Sequence, residues 1–211
     1  MTKKQLAAEV IRRLKEEYPE TVCTLDYDEA WKLLVSVRLA AQCTDARVNE
    51  IVPVLFAAYP DPEHLAAASE EEIERIVHPC GLGRSKARDI KACMTQLITR
   101  FDGRVPDTME ELLSLPGVGR KSANLILGDV FGQPAIVTDT HCIRLCNRIG
   151  LVKGEKDPAK VEAALWKIVP PEEGNGLCHR LVDHGRAVCS ARTKPACSGC
   201  CLEDFCQKNG V

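Results

Sequence analysis

Residues 115–128 read LPGVGRKSANLILG: a proline, two glycines one residue apart, two bases and an apolar run. Pro116 cannot continue a helix from the preceding TMEELLS, while ANLIL restarts one. Gly117 and Gly119 are placed to supply the positive φ angles of a tight hairpin between the two. The N–H groups of such a hairpin, and of the first turn after it, lack intrahelical partners and are available to an anion. A P-loop would need glycine at Arg120 and a longer glycine spacing, and a dinucleotide fingerprint would need glycine at Ser122. A turn this short suits one backbone phosphate, although a plain helix–turn–helix corner uses the same residue types.

Working outward, the apolar spacing is helical nearly throughout. Ala30, Leu33, Leu34, Val37 and Ala41 recur at helical intervals. Val48, Ile51, Val52, Leu55 and Phe56 form a second stripe, which Asp45 is placed to cap and Pro53 to bend. Ser69 with Glu72, and Thr108 with Glu111, read as capping boxes. Ser85 reads as the cap of KARDIKACMTQLITRF, and Asp157-Pro158 as the start of a helix through VEAALWKIV. No stretch alternates like a strand and none repeats. The fold class is all-α.

The chain has 211 residues, 45% of them hydrophobic and 27% charged, which is the composition of a globular protein with a real core. No apolar run approaches the ~20 residues of a membrane span. The amphipathic MTKKQLAAEVIRRLKEEYPE lacks the apolar centre of a signal peptide. An intracellular, cytoplasmic protein without a membrane partner is expected. The net charge of −2 hides segregation: residues 15–31 and 61–74 each carry six acids, against one lysine and no lysine or arginine respectively. Residues 84–104 carry six bases to two acids, and 120–153 five to two, so a basic face that meets phosphate is expected beside an acidic one.

Lys121 stands at a helix start, where the macrodipole favours anions. That placement is useful if the amine must be neutral: the helix end, Arg120 and partial desolvation would all act against the ammonium. Asp139, opening the helix of VTDTHCIRLCNR, reads as an N-cap that fixes a carboxylate in place. Of twelve cysteines, Cys23, Cys43, Cys80, Cys93, Cys142, Cys146 and Cys178 are scattered and read mostly as small core residues. The other five, Cys189, Cys197, Cys200, Cys201 and Cys206, crowd into CSARTKPACSGCCLEDFC. Structural zinc, a [4Fe–4S] cluster and free thiols all remain open on that spacing.

LPGVGRKSANLILGDVFGQPAIVTDTHCIRLCNRIGL, with AAQCTDARVN, GLGRSKARDI and the cysteine cluster, resembles the endonuclease III family of helix-hairpin-helix DNA glycosylases over nearly the whole chain. The resemblance implies two all-α domains with DNA in the cleft. One is a six-helix domain over residues 22–132 ending in the hairpin; the other comprises residues 1–21 plus 133–211 and carries a [4Fe–4S] loop. It implies a monomer that excises oxidised pyrimidines from damaged double-stranded DNA and nicks the strand as an AP lyase. Adenine-excising relatives lack lysine at this position, so Lys121 points to the bifunctional branch. By that resemblance Lys121 attacks C1′ and forms a Schiff base, while Asp139 stabilises positive charge on the sugar. Gln42, Leu82 and His141 would line or fill the void left by the flipped nucleotide. Gly117, Gly119, Arg120, Arg192 and Lys194 would meet backbone phosphates. The cluster ligands would be Cys189, Cys197, Cys200 and Cys206, with Cys201 a bystander, although seven residues separate the first pair where the family has six. A non-catalytic DNA-binding module is the rival reading, and the presence of Asp139 beside Lys121 argues against it. A zinc-stabilised scaffold is a third.

Overall fold

Helices account for every regular element of the computed structural model, which describes residues 1–211. The chain divides into two compact units, Cys23–Phe131, and Met1–Val22 together with Gly132–Val211. No helix is long and apolar enough to cross a membrane.

In the first unit α2 (Ala30–Leu39), α3 (Asp45–Ala58), α4 (Pro62–Ala67) and α5 (Glu70–Val77) lead through a 3-10 turn (His78–Cys80) into α6 (Gly83–Phe101). Then α7 (Met109–Ser114) and α8 (Arg120–Asp129) flank the hairpin. One apolar core built on Leu33, Leu39, Leu55, Ile73, Met94 and Ile126 joins them, each fully or almost fully buried. Each such side chain contributes on the order of 1.5–3 kcal/mol relative to exposure. The unit has seven α-helices where six were expected, because Asp61 caps and Pro62 starts a six-residue helix at DPEHLAA.

Several helix starts differ from the sequence reading. Thr44, not Asp45, caps α3, accepting from Arg47 N at 3.3 Å; Asp45 occupies the first turn, and α3 continues past Pro53. Helix α6 begins at Gly83 with Leu82 as N-cap, so Ser85 lies inside it and accepts from Arg38 Nη2. The Ser69–Glu72 capping box is complete, but the Glu111 carboxylate meets the Thr108 hydroxyl rather than its N–H. The first of these has a local cause. When two polar residues lie side by side, local spacing does not say which one leaves helical φ/ψ.

The second unit packs α1 (Lys3–Glu17), α9 (Thr140–Ile149), α10 (Pro158–Leu165) and α11 (Gly174–Ala187), with a 3-10 turn at Pro171–Glu173. Thr2 and Gln5 form a complete capping box at α1, whose buried stripe is Leu6, Ala7, Val10, Ile11 and Leu14. The N-terminus of α11 lies against the extended segment that leads into Asp139. Val137 N donates to Cys178 Sγ at 3.2 Å, and a Cβ on Gly174 would come within 2.5 Å of Ala135 O. Backbone cannot move aside as a flexible side chain can. Gly174→Ala is therefore expected to destabilise the protein by about 1–3 kcal/mol through overpacking. The measurement is the urea midpoint at unchanged m-value, and a midpoint equal to wild type would show that the approach is slack.

Candidate functional site

The hairpin closes with Val118 N donating to Leu115 O at 3.2 Å. Gly117 adopts φ +76° and lies directly over an ion pair, so that a Cβ there would meet Arg38 Cδ at 2.8 Å and Asp89 Cβ at 3.1 Å. Arg38 donates to Asp89 Oδ2 through Nε at 2.9 Å and Nη2 at 2.7 Å, and also reaches Ser85 Oγ. Both partners are largely buried, so losing either would strand a charge. Gly119 corrects the sequence reading: its φ is −100°, it has open space where a Cβ would go, and it is the N-cap of α8. No side chain caps this helix start, which leaves the first-turn N–H groups for an external acceptor. Arg120 and Lys121 are the first two helical residues and both are exposed. The partial burial expected of Lys121 is not found.

Gln42 and Leu82 are two of four non-glycine residues with positive φ, at +56° and +52°. Both are exposed, Leu82 by 54%. The left-handed conformation costs an ordinary residue roughly 1–2 kcal/mol. Arg38 links these segments to the hairpin: Ala41 N donates to its carbonyl, Ser85 and Asp89 take its guanidinium, and Gly117 covers it. The first unit thus gathers the Gln42, Leu82 and hairpin segments around one ion pair.

In the second unit Asp139 is the N-cap of α9 and half-buried. Its Oδ1 accepts from Cys142 N at 2.7 Å, while Oδ2 takes no hydrogen bond from the protein. One oxygen fixes the group and the other is open. His141 Nδ1 lies 3.2 Å from Arg144 Nη2 and packs where Gly185 lets α11 come close, so the ring serves the α9–α11 contact.

Cys189, Cys197, Cys200 and Cys206 line one hollow together with Arg148 and His184. Burial first, then the proximity of Cys206, Cys189 and Cys197, raises the Cys200 thiol above the ordinary thiol range. Cys201 is absent from this lining: its thiol is pushed up to about 11 by burial and lies near Cys200, Glu17 and Arg13. His184, Cys200 and Cys201 alone form a tighter metal-competent group, with ligand atoms within 4.8 Å. The seventh residue between Cys189 and Cys197 is taken up locally. Ser190 Oγ accepts from the N–H groups of Arg192 and Thr193, and Ala196 N closes the loop on Val188 O at 3.1 Å. Arg192 and Lys194 project from it, exposed.

Sequence reasoning missed Arg148 and His184. Arg148 Nη1 donates to Cys189 Sγ, Cys189 O and Ser190 O, and Arg144 Nη2 donates to Cys189 O and Gly185 O. Their four-residue spacing on α9 was the available signal, but it read as part of a basic face. His184 was passed over, yet it is buried with Nε2 3.4 Å from Cys200 Sγ and Nδ1 3.1 Å from Tyr18 Oη. Arg144, Arg148, Lys153 and Lys156 with Lys3 also line one broad groove, which is where the basic run 120–153 is concentrated in this unit.

Residues 35–171 match the HhH-GPD superfamily base excision DNA repair protein family. The chain is 46% identical over 206 residues, 97% of its own length and 93% of the relative's, to Endonuclease III of Synechocystis sp.. Its structure is similar to "Structure of a non-covalent Endonuclease III-DNA Complex" with TM-score 0.93, at 38% identity, covering 99% of this chain and 96% of that one. It is similar also to "Structure of a Trapped Endonuclease III-DNA Covalent Intermediate: Estranged-Adenine Complex", with TM-score 0.92, 38% identity and coverage of 99% and 97%. The chain belongs to the HhH-GPD superfamily and, within it, to the endonuclease III family.

The two hairpin glycines separate experimentally. Gly117→Ala combines a left-handed backbone with a clash on Arg38 and is expected to cost about 1–3 kcal/mol. Gly119→Ala has neither problem and is expected to stay within about 1 kcal/mol of wild type. Chemical denaturation of both variants checks this, and equal losses would contradict the geometry.

Proposed function

We propose that this protein is a bifunctional DNA glycosylase and AP lyase of base excision repair, releasing oxidised pyrimidines from duplex DNA and nicking the strand by β-elimination. The observation that carries the reading is Lys121, an exposed amine on the first turn of a helix whose start no side chain caps, in a chain of the endonuclease III family. The hairpin N–H groups and Arg120 suit a backbone phosphate, which would set the sugar against the amine. Lys121 Nζ, as the neutral amine, attacks C1′ of the damaged nucleotide and the C1′–base bond breaks with its electron pair leaving on the base. Ring opening gives the protonated Schiff base. Its positive nitrogen acidifies the C2′ proton; loss of that proton expels the 3′ phosphate.

Asp139 stabilises the positive charge that develops on the sugar and assists the proton transfers. Its geometry supports this double use, with Oδ1 held by the cap and Oδ2 open. A DNA-binding module without catalysis would need the hairpin and the basic groups but not that second oxygen. Gln42 and Leu82 face the vacated stack, while His141, packed between α9 and α11, only borders it; Arg192 and Lys194 join the phosphate contacts. The protein works as a monomer on DNA inside the cell, and its twelve unpaired cysteine thiols accord with a reducing compartment.

The four thiols that share one hollow fit a [4Fe–4S] cluster held by Cys189, Cys197, Cys200 and Cys206. When bound, the cluster supplies a covalent brace for a loop that has no regular structure of its own. Arg148, donating to the sulfur and carbonyl of Cys189, would offset thiolate charge there. Cys201, whose carbonyl takes Arg13 Nη1, does not line that hollow and is not needed as a ligand.

Borohydride is expected to trap wild-type protein covalently on an AP-site duplex. Lys121→Gln should lose trapping while keeping duplex affinity within about threefold, since a change below ~0.7 kcal/mol is about what one exposed contact supplies. Asp139→Asn should slow base release by about 10²-fold or more while cleavage of a preformed AP site suffers less. Undiminished trapping in the lysine variant would sink the assignment.

Iron analysis and visible absorbance test the cluster. Cys197→Ser should lose the brown chromophore and most of its iron, and Cys201→Ser should keep both. Loss in the Cys201 variant would favour the His184–Cys200–Cys201 group instead.

A further inference from the structure

The α6 stretch reads as a basic helix, yet both of its lysines donate inward and one of them is completely enclosed. Lys86 is fully buried and ranks with Leu39 and Met94 among the largest completely enclosed side chains. No carboxylate pairs with it. Its Nζ donates to Leu39 O at 2.7 Å and to Cys80 O at 2.8 Å. Desolvation shifts it toward the neutral amine. An apolar residue would avoid that burial cost, so the ammonium must be doing something an apolar side chain cannot.

The two acceptors show what that is. Leu39 is the last residue of α2 and Cys80 the last of the 3-10 turn His78–Cys80. Both carbonyls lie at helical C-termini, where a cation is favoured and the last carbonyls lack intrahelical donors. Three residues after Leu39 comes Gln42, and two residues after Cys80 comes Leu82. Both are exposed and both are held in the left-handed region. The Cys43 thiol, one residue beyond Gln42, is also near enough to the Cys80 thiol to add to the burial that raises it.

We infer that Lys86 is a positioning residue for lesion recognition: by tying the carbonyl ends of α2 and the 3-10 turn to one ammonium, it fixes the spacing of the loops that present Gln42 and Leu82 to the DNA. The inference rests on the proposed reading that these two side chains face the vacated stack. Lys86 itself touches no substrate. Its three ammonium protons serve two carbonyls from different elements at once, a geometry that a methionine fills in volume but cannot tie.

The test compares Lys86→Met with Leu82→Ala, the Gln42→Ala/Leu82→Ala double variant and the triple variant, by titration with lesion-containing and undamaged duplexes at matched salt. Lys86→Gln, which keeps a donor, is the second variant should Lys86→Met fail to fold, and thermal melting selects variants that are folded at the assay temperature. Lys86→Met is expected to lower the lesion-to-undamaged affinity ratio about tenfold, comparable to removing one well-placed contact, with undamaged-duplex affinity within about twofold of wild type. Because it acts through Gln42 and Leu82, it should change the ratio by less than about twofold in the double-variant background. A merely structural role would instead weaken both duplexes alike, or add its full effect to the double variant; either result overturns the inference. If Leu82→Ala and the double variant leave the ratio unchanged, the reading that these residues face DNA fails, and the inference with it. If they change the ratio and Lys86→Met does not, only the inference fails.

Discussion

Carbonyl and N–H groups left over at helix ends are the constraint on which this protein is organised. An α-helix cannot pair its first four N–H or last four C=O groups, and an all-helical chain meets that problem at every turn. Here the solutions differ from one helix end to the next. Asp139 satisfies Cys142 N with one oxygen and keeps the other, while Gly119 leaves the start of α8 without a side-chain acceptor. Lys86 collects two C-terminal carbonyls, and Arg148 takes the carbonyls of Cys189 and Ser190 just beyond α11. A carboxylate fixed by a cap loses little orientational freedom when it is called upon, which is what electrostatic stabilisation of a developing charge requires.

Caps that use a residue and its neighbour three positions on were legible from the sequence, because both halves of the interaction lie within one turn. Ser69 with Glu72, Asp157 with Lys160, and Asp139 with Cys142 are of this kind. The hairpin was legible for the same reason, although the roles of its two glycines were not alike. Gly117 needs its missing Cβ because of Arg38, seventy-nine positions earlier in the chain, and no local pattern contains that fact. Lys86 and Lys91 were counted into a basic face and instead donate inward, to Leu39 and Cys80 and to Ala68. A long flexible lysine can present its charge to water or carry it to a distant carbonyl, and composition does not separate the two.

The cysteine loop shows the same division. The pair Cys197 and Cys200 could be read directly, while the fate of adjacent Cys200 and Cys201 depended on direction. Neighbouring residues on a helical turn do not face the same way. In the structure Cys200 lines the hollow shared with Cys189, Cys197 and Cys206, and Cys201 does not, although its thiol stays close to Cys200 and His184. With the additional residue in the first spacing, Cys189 and Cys197 still line the same hollow. Ser190 folds the loop on itself, and the Ala196–Val188 hydrogen bond closes it just before Cys197.

Strain tells most about what the first unit is built to present. Glycine at position 42 or 82 would relieve a left-handed backbone at no steric cost, and Leu82 already has glycine on both sides. The side chains are nonetheless present, exposed, and one of them is large and apolar. A folded chain that holds such residues in an unfavourable conformation must fix the backbone from beneath. The Arg38–Asp89 pair and the Lys86 ammonium lie under these loops, and both are buried polar groups whose removal would leave carbonyls or charges unmatched. Buried charge of this kind adds little net stability compared with apolar packing, but it allows only one arrangement of the segments it joins. For side chains held exposed in a strained backbone, a fixed arrangement is worth more than the stability an apolar core would add at the same positions.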